Sequence, residues 1–188
     1  GTNSTYFFEP TKPFGSENPV VPRDNYDGLN NLFAEYFHES LDEIGSLYFT
    51  KENYDNSYPG YGSTYPDIHG ALGLVFEQAS SRGHLQDSRM GKVAFAFTIK
   101  NHLTTSMATV RAAVGEKETL LNHMSNYFKT AVDEGKQAGG GWVFGDQADD
   151  SRNRTFLNLL LRHRIKTYAL EDDITLEGKT YQAGNAFY

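Results

Sequence analysis

The sequence predicts an α/β fold. Short apolar runs bounded by glycine or turn residues read as strands, longer stretches carry apolar residues at helical spacing, and the two kinds alternate along 188 residues. Residues 9 to 26 hold Pro10, Pro13, Pro19 and Pro22 among Asn and Gly, and form an irregular loop. Leu29, Leu32, Phe33, Tyr36, Phe37, Leu41 and Ile44 recur every three or four positions, so 27 to 44 is an amphipathic helix ended by Gly45. Leu47 to Thr50 is a short strand. Residues 53 to 67, rich in Tyr, Gly, Asn, Pro and Ser, are a loop long enough to mark a functional surface. Leu72 to Glu77 follows as a buried strand.

A second long helix is expected over about 92 to 114, with Phe97, Leu103, Met107 and Val110 on its buried side. A third, about 117 to 134, turns Leu120, Leu121, Met124, Tyr127, Phe128, Ala131 and Val132 inward. Gly139-Gly140-Gly141 breaks the chain before the strand Trp142 to Phe144. Asp150 is the expected N-cap of a helix carrying Phe156, Leu157, Leu160 and Leu161. Lys166 to Leu170 is another strand, and Ile174 to Leu176 and Lys179 to Gln182 flank a tight hairpin at Glu177-Gly178. Strand, helix and strand in 142 to 170 make a compact βαβ-like unit, which needs a parallel sheet to complete it.

Composition narrows the chemistry. A net charge of -7 argues against a phosphate-backbone partner, since nucleic-acid binders concentrate Lys and Arg. No apolar run approaches the roughly 18 residues of a membrane span. With no cysteine, thiolate nucleophiles, disulfides and Cys-based metal sites are all excluded. The 13 Phe and 12 Tyr suit a packed core with tyrosines lining a cleft. Gly139 to Gly145 lacks the Lys and the spacing of a phosphate loop, and Gly62-Ser63-Thr64 is no nucleophile elbow.

The segment from Tyr65 to His84 is the most informative. An apolar strand delivers Glu77 at its end, and a small-residue loop with Arg82 and His84 follows. Burying a lone carboxylate is costly, so such an acid has a partner or a task. It reaches water, pairs with Arg82, or acts in a site.

Phe76-Glu-Gln-Ala-Ser-Ser-Arg-Gly-His84 resembles the catalytic-glutamate strand of zinc carboxypeptidase-like metallopeptidases, in a bacterial branch. Two further blocks carry the resemblance: Gly1-Thr-Asn-Ser-Thr-Tyr-Phe-Phe8, which in that branch directly follows a zinc-binding His-Glu-Met-Gly segment, and Ile44-Gly-Ser-Leu-Tyr-Phe49 followed by Gly62-Ser-Thr-Tyr-Pro-Asp67. The resemblance implies that residues 1–118 are the C-terminal half of a peptidase domain, a mixed sheet flanked by helices. It implies that 119–188 are a linker helix and the start of an α/β domain similar to glutamine-amidotransferase folds. The chain is then an internal piece of a longer, periplasmic or secreted protein.

The implied reaction is hydrolysis of peptide or peptidoglycan-type amide bonds by a zinc-bound water, with Glu77 as general base and then acid. The zinc ligands are expected outside this chain, because no His here lies in a His-x-x-Glu arrangement, and His84-x-x-Asp87 is a weak substitute. Tyr65 resembles the family's mobile tyrosine that closes over substrate, with Tyr58 and Tyr61 competing for the role. Arg82 could hold a substrate carboxylate as a bidentate fork, or form a salt bridge to Glu77. His84 reads as a structural loop residue, and Asn3, Ser4 and Thr5 line the cleft or turn the chain. The competing expectation is an inactive peptidase fold that binds peptides or cell-wall fragments.

Overall fold

The computed structural model describes residues 6–188, which fall into two units that divide between Val132 and Asp133. In the first, three aromatic residues make the central strand. β1 (Tyr6–Phe8) is no more than 1% exposed at any position, as suits residues of high β-propensity flanked on both edges. β2 (Tyr48–Phe49) pairs with it in parallel and β3 (Phe76–Gln78) antiparallel, in the order β2-β1-β3.

The register sorts side chains between the two faces. Tyr6 pairs with Gln78, Phe7 with Glu77 and Phe8 with Phe76, and directly paired residues share a face. Tyr6, Phe8 and Phe76 therefore look toward α1 (Asn31–Glu43) and α3 (Phe95–Gly115), where Phe33, Phe37, Leu41, Ala108 and Ala112 complete the core. Phe37 meets Phe76 edge-on at 5.0 Å, the geometry that aromatic quadrupoles favour. The helix expected at 27 to 44 is present, entered through a π-helical turn over Asn25–Asn30 and followed by Gly45 at φ 65°. Only glycine takes that conformation freely.

The strand expected from Leu72 is shorter and later, at Phe76–Gln78. Its upstream part leaves the ladder because the Gly73 N–H donates to Asp67 Oδ1 at 2.7 Å. A short helix, α2 (Thr64–Asp67), occupies the tyrosine-rich loop. The start of the expected 92–114 helix is instead the second half of a hairpin, β4 (Leu85–Ser88) with β5 (Gly91–Ala94), and α3 begins at Phe95.

The inward faces of the long helices differ from expectation. On α3 the buried residues are Asn101, Thr105, Ala108 and Ala112, while Leu103, Met107 and Val110 are about half exposed or more and Phe97 is half-buried. The reason is polar: Asn101 Nδ2 donates to Gln78 Oε1 at 2.6 Å, and the Tyr6 hydroxyl shares hydrogen bonds with Thr105 Oγ1 at 2.7 Å and His102 Nδ1 at 3.0 Å. On α4 (Lys117–Ala138) only Leu120, His123 and Tyr127 are half-buried, and Leu121, Met124, Phe128, Ala131 and Val132 are exposed. No helix among the described residues is long and apolar enough to cross a membrane.

In the second unit β6 (Phe144–Gly145) pairs antiparallel with β9 (Ala186–Phe187), and α5 (Asp150–Arg162) lies between them in sequence. Asp149, not Asp150, caps α5 by accepting the Arg152 N–H at 2.9 Å. The segment expected as a strand at 166 to 170 bridges Phe187 through Ala169, also antiparallel. The strand–helix–strand unit is thus completed by an antiparallel β9 between its two strands, rather than by a parallel sheet. β7 (Ile174–Leu176) and β8 (Lys179–Tyr181) form the expected hairpin, with Glu177 at φ 49° and Gly178 at φ 80°. Positive φ at both turn residues matches the right-handed strand twist. The whole is a mixed α/β arrangement.

Candidate active site

Glu77 is half-buried on the sheet face turned away from α1 and α3, directly across from Phe7. Phe7 packs there at a tilt against Tyr54 at 4.5 Å and Phe49 at 5.3 Å, so one carboxylate stands at the edge of an aromatic patch. Tyr54 feels it: burial first, and then the negative charge of Glu77, raise its phenol above the usual value. Among the described residues, Glu77 makes no ion pair.

The other expected site residues do not gather around it. Tyr65 is 48% exposed on α2, its ring against His69 at 4.3 Å, and the His69 ring nitrogen donates to its carbonyl at 2.8 Å. Tyr58 and Tyr61 are also exposed and meet edge-on at 5.2 Å. Arg82 is exposed in the turn before β4, with its N–H toward Ser80 Oγ at 3.3 Å and its guanidinium in no ion pair among the described residues. The pairing of Arg82 with Glu77 is therefore not formed. His84 sits at φ 74° in the loop just before β4, with its ring on Phe95 at 5.6 Å. Asn3, Ser4 and Thr5 lie outside the described residues.

A second acidic group escaped the sequence reading. Glu9, Asp67, Asn25 and Asn56 are all fully buried. Asp67 accepts from the Gly73 N–H and from Asn56 Nδ2 at 3.2 Å, while the hydroxyl of Thr64 donates to Asn56 Oδ1 at 2.9 Å. The Asn25 carboxamide lies close enough to favour the Asp67 charge without meeting hydrogen-bond geometry. Burial still outweighs these contacts and lifts Asp67 to about 6. Together they fasten the loop that carries Tyr65. Asp67 and Asn56 stand in a loop without periodicity, so nothing in the pattern marks them as buried.

No three His, Asp or Glu side chains among the described residues converge to hold a metal ion. The donor set present among these residues does not fit a zinc centre of its own. Compared with known proteins, the chain matches no family model, no curated protein and no solved structure.

Proposed function

We propose that this chain is the C-terminal half of a zinc carboxypeptidase-like peptidase domain with a trailing α/β segment, and that Glu77 is its proton carrier. The observation that carries the reading is the antiparallel ladder pairing Glu77 with Phe7 of β1. Tyr6–Phe8 of β1 belong to the sequence block whose upstream neighbour, by resemblance, supplies a zinc ligand. That neighbourhood in the ladder supports the reading. Zinc, held by residues outside this chain, would polarise the attacking water. Glu77 would take a proton from the attacking water and pass it to the departing amine. Its half-buried place beside Phe7 and Tyr54 limits competing solvent. The substrate is a peptide or peptidoglycan-type amide, Tyr65 is the residue closing over it, and exposed Arg82 is the fork for a carboxylate. The parent is periplasmic or secreted.

The test is Glu77→Gln in the full-length parent. Zinc content persists while turnover falls roughly 10²- to 10⁴-fold; unchanged turnover removes the assignment.

The exposed tyrosines Tyr58, Tyr61 and Tyr65 favour a second reading, a fold that binds peptides or cell-wall fragments without cleaving them. A parent that binds such fragments, carries no zinc and shows no turnover before any substitution supports this reading over the first.

A further inference from the structure

The interior around Glu9 and Asp67 holds more negative charge than the chain balances. Glu9 directly follows the three buried aromatic residues of β1, so the strand carries it inside, where it has no solvent exposure. Asp67, also fully buried, closes α2; the Gly73 N–H and Asn56 Nδ2 each occupy one position on its two oxygens. Asn25 opens the π-helical turn and is buried as completely. These three segments share one neighbourhood. The charge of Asp67 reaches Glu9, and the Asn25 carboxamide lies beside Asp67. Tyr26, next to Asn25, feels the charges of both acids.

No cationic side chain answers these acids. Neither Glu9 nor Asp67 enters an ion pair among the described residues. Glu17, a third acid close by, is paired with Arg23, and Lys12 is exposed. Ionised carboxylates buried without an opposite charge are strongly destabilising. Hydrogen bonds are also lacking. Both Glu9 oxygens, the Thr11 hydroxyl and both polar atoms of the Asn25 side chain are buried with no partner among the described residues. Thr11 belongs to the same neighbourhood, since its amide approaches the Glu9 carboxylate. Native folds leave few such atoms unsatisfied, and a cluster of them calls for an explanation.

A proton on Glu9 removes one charge but leaves the Thr11 and Asn25 oxygens without a partner. A cation that takes oxygen ligands engages all of these groups together. Calcium–oxygen contacts of about 2.3–2.6 Å are shorter than the roughly 2.7–2.8 Å of a hydrogen bond from water. Oxygens closed to water are therefore still open to a bare ion. Charge and donor type select which ion. Two carboxylates need a divalent ion for balance. Carboxylate, carboxamide and hydroxyl oxygens are hard donors, unlike the nitrogen and sulfur that zinc prefers. Magnesium keeps several of its waters, which suits a closed interior poorly, whereas calcium accepts irregular shells of roughly six to eight oxygens. The support behind the ligands is present as well. Asn56 Oδ1 accepts the hydroxyls of Ser63 and Thr64, which fixes its Nδ2 on Asp67 and so orients that carboxylate.

We infer that Glu9, Thr11, Asn25 and Asp67 form an internal calcium site that ties the end of β1, the π-helical turn and α2 together. The proposal is independent of the peptidase reading, because it uses none of Glu77, Tyr65 and Arg82.

Because these atoms face no solvent, the ion is offered during folding. The chain is unfolded in urea and refolded with EDTA, with magnesium chloride, or with calcium chloride at about 10 mM, above the range at which weak calcium modules bind. Equilibrium dialysis with radioactive calcium should then find one tightly held ion per chain. The calcium-refolded chain should melt roughly 5 °C or more above the EDTA form, and the magnesium-refolded chain should melt with the EDTA form. Glu9→Gln, and separately Asp67→Asn, should abolish both the held ion and the shift. Circular dichroism of Glu9→Gln in EDTA should match that of the unaltered chain, so its loss of calcium is not a loss of fold. No retained calcium, an equal response to magnesium, or an undiminished calcium response in Glu9→Gln would each overturn the proposal.

Discussion

Glu9 has no solvent exposure, and neither of its carboxylate oxygens meets hydrogen-bond geometry with a described residue, although the Thr11 amide approaches it. Burial, helped by the charge of Asp67, pushes it up to about 8. Its folded value thus exceeds the ordinary 4.5, and the folded chain keeps a proton that the unfolded chain releases. The stabilisation is complete below about pH 4.5 and is lost as pH rises through about 8. Asp67, lifted to about 6, adds a smaller loss of the same sign at lower pH. Urea midpoints should accordingly fall between pH 5 and pH 8. Glu9→Gln should flatten that slope and stabilise the chain at pH 8 by on the order of 2–4 kcal/mol; a midpoint that rises with pH contradicts this. Glu77 was legible as a site candidate because a strand ending in an acid is an anomaly on its own terms. Tyr54 was not, since a tyrosine in an aperiodic loop carries no signal of the strand it will meet. Its place beside Glu77 depends on the pairing of β1 with β3, a contact across some seventy positions.

At the scale of elements, spacing served where the apolar face turns inward, as in α1, and failed where it does not. α3 was read inside out because periodicity reveals that a face exists without saying what covers it. The polar groups of Gln78 and Tyr6 decide the matter by recruiting Asn101 and Thr105. Boundaries shifted where a side chain took a backbone donor from its ladder, as Asp67 does at Gly73. The cap of α5 offers a simple check. Asp149 satisfies one of the otherwise unpaired amides of the first turn. Asp149→Ala should cost the second unit about 1 kcal/mol and Asp149→Asn much less, read from thermal melts.

For the molecule as a whole, the mixed α/β character was legible in the alternation of patterns, whereas the antiparallel closure by β9 was not. Strand direction is set by which distant segment arrives, and the two-residue Ala186–Phe187 strand is too short to announce itself. The chain divides into units at 132/133, and Gly139 and Gly140 just beyond are exposed at φ 61° and 75°. Limited proteolysis should cut first within 139–142, where small exposed residues offer backbone to a protease, and mass spectrometry should find a protected fragment ending there. Early cleavage inside α1 or β1 would contradict the division. In the first unit, the Tyr127 hydroxyl of α4 donates to Ile68 O at 2.7 Å, and its ring covers Gly70 so closely that a Cβ there would lie 2.8 Å from it. With Asp67 also pinned to Gly73, the downstream end of the Tyr65 segment is anchored twice. Thr64, on the other side of Tyr65, is fully buried and donates to Asn56 Oδ1, so Tyr65 can reach a bound molecule only by turning about its own side-chain bonds, like a gate leaf on a fixed post.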